Sequence, residues 1–314
     1  MIPMRVRDRY RRDMEAARGK LASLERHVVE TPLGRIEYID RGEGPVVLVV
    51  HGITQGADGG LRDLATDLIP AGYRVIVPSR FGYLGSEMPD GATPEMQADA
   101  FAALLDAIGI GRVLVLAGSA GITSALHLAI RHHDRTRALL LVSANIPDPH
   151  QAKGLPPRAV FRAIFASDPV LWFMITYLPG LMARLSQVLR VPDGVQPTDE
   201  DVSKIRRAME GVLLGKLRVK GEVFDAFVSN PAIDQIDLSE VPVPTMVVHA
   251  RDDTGPPYPA AVAMARRIPC ARVVTVERGG HLMLGRHSAA KHEVDDFLEE
   301  FLREHRPATV AVAA

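Results

Sequence analysis

The sequence predicts an α/β fold with a mostly parallel sheet, helices on both faces and an inserted helical cap. Short continuous apolar runs alternate with segments of helical periodicity, which is typical of strands buried on both faces. This alternation stops after residue 145 and resumes near residue 241. The chain has 314 residues, 47% of them hydrophobic, so it is long enough for one large core with an insertion.

The first half of the chain supplies most of the predicted elements. A basic helix is predicted from Met4 to Leu24, and a hairpin over His27 to Asp40 turns at Pro32-Leu33-Gly34. The elements that then alternate are a strand at Val46 to Val50, a helix at Leu61 to Ile69, a strand at Tyr73 to Val77, a helix from its N-cap Thr93 to Gly109, a strand from Val113, a helix at Ile122 to Ile130 and a strand at Ala138 to Val142.

Helical segments dominate residues 146–240, and one of these helices is capped near Thr198. The α/β pattern then resumes with strands at Thr245 to His249 and Arg272 to Val276, each followed by a helix. Helices inserted within an α/β pattern are typical of a cap, because a separate domain more often lies at a terminus. The predicted organisation is a basic N-terminal helix (1–26), an α/β core (27–145 and 241–305), a helical cap (146–240) and a flexible tail (306–314).

Composition and charge narrow the classes of function. The net charge of −1 gives no electrostatic reason to expect nucleic acid or a membrane surface as a partner. No apolar run approaches the roughly 20 residues that span a bilayer, and the arginine-rich N-terminus is not a signal peptide, so a cytoplasmic location is expected. The single cysteine, Cys270, excludes an internal disulfide and is expected to be buried. The basic helix could contact a second copy of the chain, which leaves a homodimer as a hypothesis.

Ser119 follows a buried strand within a run of small residues, Ala117-Gly118-Ser119-Ala120-Gly121. Small neighbours are needed where a strand turns sharply into a helix, because larger side chains would collide across the bend. Such a turn lifts the serine hydroxyl clear of the sheet, at the positive end of the helix. We interpret the segment as a nucleophile elbow, with Ala117 where the usual pattern has glycine.

A serine hydroxyl is a weak nucleophile until a base takes its proton and an acid orients that base. Asp253 follows the strand that ends at His249, and His281 follows two glycines after the next strand. The strand ending at Val142 is followed by Ser143, Ala144 and Asn145, none of which carries a carboxylate, and this favours the later loop for the acid. Asp252 is expected to be a loop or solvent residue. The predicted catalytic residues are therefore Ser119, Asp253 and His281.

The intermediate of acyl transfer needs two backbone N–H groups directed at its oxyanion. One is expected from Ala120, the residue after the nucleophile. The other is expected from Ile53, because Gly52 allows a tight backbone after the strand that ends at Val50. His51 resembles a general base, but we expect it to order this loop.

Together these motifs resemble the α/β-hydrolase superfamily with an inserted cap. The resemblance covers Thr31 to Leu302 and includes the Ser, Asp, His order along the chain. The segment from Ser79 to Ser86 is similar to the family's Arg-Gly-x-Gly-x-Ser loop, with Phe81 in place of the first glycine. Dehalogenases and epoxide hydrolases resemble this superfamily too but use aspartate at the elbow, so Ser119 argues against them.

The resemblance implies a serine hydrolase that works through an acyl-enzyme and needs no metal or cofactor. A small hydrophobic substrate, an ester or a lactone, is the leading expectation. The predicted substrate-binding residues are Phe81, Trp172, Met174 and Met283, although the cap residues among them could simply pack onto the core. One alternative is a carbon–carbon bond hydrolase of a diketone-type substrate, for which Arg158 or Arg162 could bind a carboxylate. Another is a hydrolase-fold binding protein with little turnover.

Overall fold

The computed structural model describes residues 4–147, 155–185, 189–194, 196–285 and 288–302. Its strands are β1 (His27–Thr31), β2 (Gly34–Arg41), β3 (Val46–Val50), β4 (Arg74–Pro78), β5 (Val113–Gly118), β6 (Thr136–Val142), β7 (Thr245–Ala250) and β8 (Ala271–Val276). They form one eight-stranded sheet in the order β1-β2-β4-β3-β5-β6-β7-β8. The β1–β2 and β2–β4 pairs are antiparallel and the other five are parallel, so the predicted mostly parallel sheet is confirmed.

The helices outside the β6–β7 connection are α1 (Met4–Ala22), α2 (Ala57–Leu64), α3 (Pro94–Ala107), α4 (Gly121–Arg131), α11 (Tyr258–Arg267) and α12 (Ser288–Leu302). Alternate residues of β3 belong to two apolar clusters, one on each face of the sheet. Residues of α3, α4 and α11 pack in the first cluster, and residues of α2 and α12 pack in the second. Burial on both faces explains why the central strands read as continuous apolar runs.

Between β6 and β7 the described residues form helices and turns. They are α5 (Arg158–Phe165), α6 (Asp168–Tyr177), α7 (Pro179–Leu185), α8 (Asp199–Glu210), α9 (Val219–Phe224), a π-helical turn (Asp225–Ser229), α10 (Asn230–Ala232) and three short 3₁₀ turns. We refer to this connection as the cap. Residues 148–154, 186–188 and 195 of the predicted cap, and the predicted tail 306–314, lie outside the described residues.

The prediction for α2 was wrong at both ends, since the helix runs from Ala57 to Leu64 and not from Leu61 to Ile69. The helix contains Gly59 and Gly60, and glycine weakens a helical pattern. Gly60 is nevertheless needed, because a Cβ there would lie 2.7 Å from a methyl group of Val77. A second correction concerns Cys270, which is exposed at a left-handed turn before β8 and not buried.

Helix α1 packs on the cap. Met14 and Leu21 of α1 cluster with cap residues Leu213 and Leu214, and Lys20 forms an ion pair with Glu210. Within the described residues no single helix is long and apolar enough to cross a membrane, and α5 and α6, bent by 75°, reach that length and composition only as a pair.

Candidate active site

Ser119 lies at the sharp turn between β5 and α4. Its φ of 48° is a left-handed backbone conformation, which is unusual for a residue with a side chain. A Cβ on Gly121 would lie 2.6 Å from the carbonyl oxygen of His51, and one on Gly52 would lie 3.2 Å from the Cβ of Ser119. The small residues of the elbow are therefore required by close approach of the loop after β3.

The structure brings the three predicted side chains together. The Nε2 atom of His281 lies 3.0 Å from the Ser119 Oγ atom, and its Nδ1 atom lies 2.9 Å from Oδ2 of Asp253. His281 and Asp253 are only 6% and 9% exposed. This arrangement lets the serine hydroxyl donate to Nε2 while the Nδ1–H group donates to the carboxylate.

Two further groups hold the Asp253 carboxylate. The backbone N–H of Gly255 donates to Oδ1 at 2.8 Å, and His249 Nε2 lies 3.4 Å from Oδ2. His249 Nδ1 accepts from the N–H of Ala144 at 3.1 Å, so the proton of the neutral ring sits on Nε2 and points to Pro256 O and Asp253. Burial lowers the pKa of His249, although the hydrogen bond to Pro256 O and the charge of Asp253 act in the opposite direction. The lowered pKa keeps the ring neutral. The sequence analysis missed this residue.

The loop before His281 is also anchored to the core. Oδ1 of Asp252 accepts from the N–H groups of Gly279 and Gly280 at 3.0 and 2.9 Å, and the Ser143 hydroxyl donates to the His281 carbonyl at 2.6 Å. Asp252 lies in the turn after β7, so it is the loop residue that was expected, but it is half-buried and binds the histidine-bearing segment.

His51 orders the loop after β3. Its Nδ1–H group donates to Gly52 O at 2.8 Å, and its Nε2 atom accepts from the backbone N–H of Arg80 at 3.0 Å. Burial and the Arg80 charge lower the pKa of His51 well below its ordinary value. A neutral ring with both nitrogens engaged is a structural element of the loop.

The two predicted oxyanion donors flank the nucleophile. Ile53 follows Gly52, and Gly52 packs directly against Ser119. Ala120 is the residue after Ser119. Among the described residues, neither the Ile53 nor the Ala120 amide donates to a backbone or side-chain acceptor. Both N–H groups therefore remain available to a ligand.

The loop that resembles the family's Arg-containing motif reaches into the cap. Arg80 donates two hydrogen bonds to Asp225, at 2.6 and 2.5 Å, and the Tyr83 hydroxyl donates to the same carboxylate at 2.5 Å. Arg80 and Asp225 are fully buried. Since the Arg80 amide bonds to His51, this ion pair connects the π-helical turn of the cap to the loop after β3.

The predicted substrate-binding residues are not all near one another. Phe81 is buried, its N–H donates to Gln97, and its ring packs edge-on against Phe224, so it lies between core and cap. Met283, two residues after His281, is half-buried, and so is Met174 on α6.

Trp172 lies elsewhere, against α1. Its ring meets Tyr10 edge-on at 5.3 Å, and its indole N–H donates to Asp13 at 2.8 Å. Trp172 therefore packs between the cap and the N-terminal helix.

A cluster of apolar side chains lies beside the loop after β3. It consists of buried and half-buried cap residues with Ile53 packed against them, and we call it the apolar cap cluster: Ile53, Phe161, Phe165, Ala166, Val219, Val223, Ala226 and Phe227. Arg158 and Arg162 of α5 are exposed. Within the described residues, no group of three or more His, Cys, Asp or Glu side chains is arranged to hold a metal ion.

Sequence comparison assigns the chain to a family. A profile described as the alpha/beta hydrolase family matches residues 46–297. The chain is 25% identical over 286 residues to 2-hydroxy-6-oxononadienedioate/2-hydroxy-6-oxononatrienedioate hydrolase 1 of Dechloromonas aromatica (strain RCB), covering 87% of this chain and 92% of that protein. It is 26% identical over 275 residues to 2-hydroxy-6-oxo-6-phenylhexa-2,4-dienoate hydrolase of Burkholderia cepacia, covering 84% and 91%.

Solved structures agree with this assignment. An alpha/beta hydrolase fold protein from Nakamurella multipartita superposes with a TM-score of 0.69 at 27% identity, covering 89% of this chain and 99% of that one. A thermophilic esterase from Thermogutta terrifontis superposes with a TM-score of 0.61 at 25% identity, covering 89% and 98%. The chain belongs to the alpha/beta hydrolase family, and its fold is that of the family's enzymes.

Proposed function

We propose that this enzyme is a serine hydrolase that cleaves a hydrophobic carboxylic ester or lactone through an acyl-enzyme intermediate. The observation that carries the proposal is the continuous contact from Ser119 Oγ through His281 to Asp253, with 3.0 and 2.9 Å between the paired atoms. This is the geometry that a nucleophile, a general base and an orienting acid require.

In the proposed mechanism the Ser119 oxygen attacks the acyl carbon while His281 takes the hydroxyl proton. Asp253 holds the imidazole in the productive tautomer, and the amides of Ile53 and Ala120 donate to the oxyanion. His281 then gives its proton to the leaving alcohol. Water attacks the acyl-enzyme with His281 as base, which releases the acid and restores the serine.

The substrate class is inferred from the side chains beside the proposed oxyanion donors. Ile53 packs against the apolar cap cluster, so an acyl or alkoxy chain bound beside Ile53 would meet apolar groups. The similarity to the Thermogutta terrifontis esterase supports the same class.

A carbon–carbon bond hydrolase is the second candidate, because both curated relatives described above are named as hydrolases of oxo-dienoate compounds. The same three side chains could serve that reaction. A dienoate also carries a carboxylate, and Arg158 or Arg162 is the predicted partner for it. Both arginines are exposed, which weighs against their binding the carboxylate of a substrate held between core and cap.

The deciding experiment measures hydrolysis of p-nitrophenyl esters from acetate to decanoate by wild type and Ser119→Ala. In parallel, 2-hydroxy-6-oxo-6-phenylhexa-2,4-dienoate tests carbon–carbon cleavage. We expect ester turnover with an optimum at longer chains, reduced at least about a thousandfold in the variant. Turnover of the dienoate alone would favour the second candidate. No turnover of either compound would favour a binding protein, and full activity in Ser119→Ala would exclude the proposed nucleophile.

A further inference from the structure

The core binds the first half of the loop that carries the proposed catalytic histidine, here the histidine loop (residues 278–285), through hydrogen bonds, and Met283 in its second half packs against an apolar cluster of the core. Asp252 and Ser143 bind its Gly279, Gly280 and His281 backbone groups, as described above. The second half of the loop includes Met283 at a φ of 50°, an unfavourable left-handed conformation for a residue with a side chain. Such a segment needs external contacts to keep one conformation.

Polar contacts to this second half come from the first turns of α8 in the cap. Oδ1 of Asp201 accepts from the N–H of Gly285 at 2.7 Å, the end of the histidine loop. Its Oδ2 accepts from the N–H and the hydroxyl of Thr198, at 2.9 and 2.8 Å. Asp201 is 5% exposed. One carboxylate therefore caps its own helix and binds the histidine loop at the same time.

The charge state of Asp201 suits this role. Burial opposes ionisation, but the N–H groups of Gly285 and Thr198 outweigh burial and lower the pKa of the carboxyl. Hydrogen bonds to an ionised acceptor are roughly twice as strong as those between neutral groups.

Two more contacts join the same parts of the chain. Lys204, one turn after Asp201, donates from Nζ to Met283 O at 3.4 Å, and its ammonium also interacts with Asp63 of α2. At the beginning of the loop, a Cβ on Gly280 would lie 2.9 Å from Pro192 Cγ, so the ring of Pro192 in the cap packs directly on the loop.

We propose that Asp201 is a positioning residue, which holds His281 in line with Ser119 by fixing the second half of the histidine loop. The inference rests on the proposed function, since it assigns His281 as the base. The proposal also makes catalysis depend on the cap, because His281 is held in line with Ser119 only when α8 contacts the histidine loop.

The test compares Asp201→Ala and Asp201→Asn with Thr198→Ala as the matched control. Thr198→Ala removes the hydroxyl that accepts from the Asp201 N–H and donates to Oδ2 of Asp201, but it leaves the bonds from the Thr198 and Gly285 N–H groups to the carboxylate. We expect Asp201→Ala to lower kcat on the best p-nitrophenyl ester by about ten- to a hundredfold with KM changed less than about twofold. The isosteric Asp201→Asn keeps the volume but turns an amide donor toward an N–H group, so it should lose a similar factor. Thr198→Ala should retain kcat while its Tm falls.

A second readout does not require a substrate. The exchange of the His281 Nδ1 proton with water, followed by NMR and assigned with His281→Gln, should accelerate at least about tenfold in both Asp201 variants and not in Thr198→Ala. Folded Asp201 variants with wild-type kcat and wild-type exchange would overturn the positioning role and leave the proposed function intact. If the wild type turns over no ester, the proposed function fails, and proton exchange alone decides the role of Asp201.

Discussion

Glu222 is a buried carboxyl that the proposed mechanism does not use. The side chain is 0% exposed, and neither carboxyl oxygen has a hydrogen-bond partner among the described residues. Burial raises the pKa of Glu222 to about 8. The charge of Asp225 also raises this pKa, and the charge of Arg218 lowers it. An acid with a raised pKa in the folded state keeps a proton that the unfolded chain has already released. Stability therefore falls as the pH rises from the ordinary value of 4.5 toward 8.

We expect Glu222→Gln to remove this loss. The neutral amide has nearly the same shape, so the free energy of unfolding of the variant should exceed that of wild type by an amount that grows with pH, at up to roughly 1.4 kcal/mol per pH unit. Urea unfolding between about pH 5 and 9 measures it, with the exposed Glu240→Gln as control. Parallel pH dependences for wild type and Glu222→Gln would contradict the assignment.

For single residues, the sequence predicts which side chains lie close together better than it predicts what each one binds. It places Asp252 and Asp253 after β7, and the prediction that Asp253 contacts His281 is confirmed. The sequence could not show that Asp252 binds the glycine amides before His281, since that depends on how the loop returns to β7. For His249, which looks like an ordinary buried strand residue, the side-chain partners are Ala144 and Pro256, fixed only by the folded backbone.

Among the elements, the strands and most of the helices were predicted close to their bounds, and α2 was not. Each strand between β3 and β8 lies within two residues of its predicted bounds, and in the central strands β3 and β5 burial on both faces leaves an unbroken apolar run. For α2 the glycines that allow it to approach β4 are also the residues that weaken a helical pattern. The packing of α1 on the cap follows from no local signal, since the contact joins segments about 160 positions apart, as in the Trp172–Asp13 bond.

The contact between α1 and α6 predicts the effect of Trp172→Phe. The variant keeps an aromatic ring against Tyr10 but loses the hydrogen bond to Asp13, whose side chain is 40% exposed. We expect a loss of about 1 kcal/mol in the free energy of unfolding, with the ester chain-length optimum unchanged.

Val223→Ala is the matched comparison, because Val223 packs in the apolar cap cluster with Ile53. This variant should shift the optimum toward longer chains. A shifted optimum in Trp172→Phe would return Trp172 to the substrate pocket.

At the scale of the whole molecule, two buried ion pairs join cap and core beside the nucleophile. Arg218 of the cap donates to Asp58 at 3.0 and 2.8 Å and to the Gln55 carbonyl at 2.8 Å, while Gln55 accepts from the Gly52 N–H. Arg80 and Asp225 form the second pair. Both pairs are linked to the loop that carries Ile53, the first through Gln55 and the second through the hydrogen bond from the Arg80 N–H to His51, so we expect docking of the cap to order the proposed oxyanion donors. The sequence predicts the core and the cap separately, but these connections join residues more than a hundred positions apart.

Breaking one partner of a buried pair should therefore cost more than removing both. Asp225→Ala leaves the Arg80 guanidinium buried without a counter-charge, which we expect to destabilise the fold by about 3 to 5 kcal/mol and to lower kcat through the His51 loop. In Arg80→Met/Asp225→Ala the uncompensated charge is gone, and the remaining cost is a cavity and the unpaired Tyr83 hydroxyl. The double variant should thus unfold at a higher urea concentration than Asp225→Ala and regain part of its ester turnover. If the two substitutions destabilise additively, the pair does not act as a unit and the cap is held by its apolar contacts.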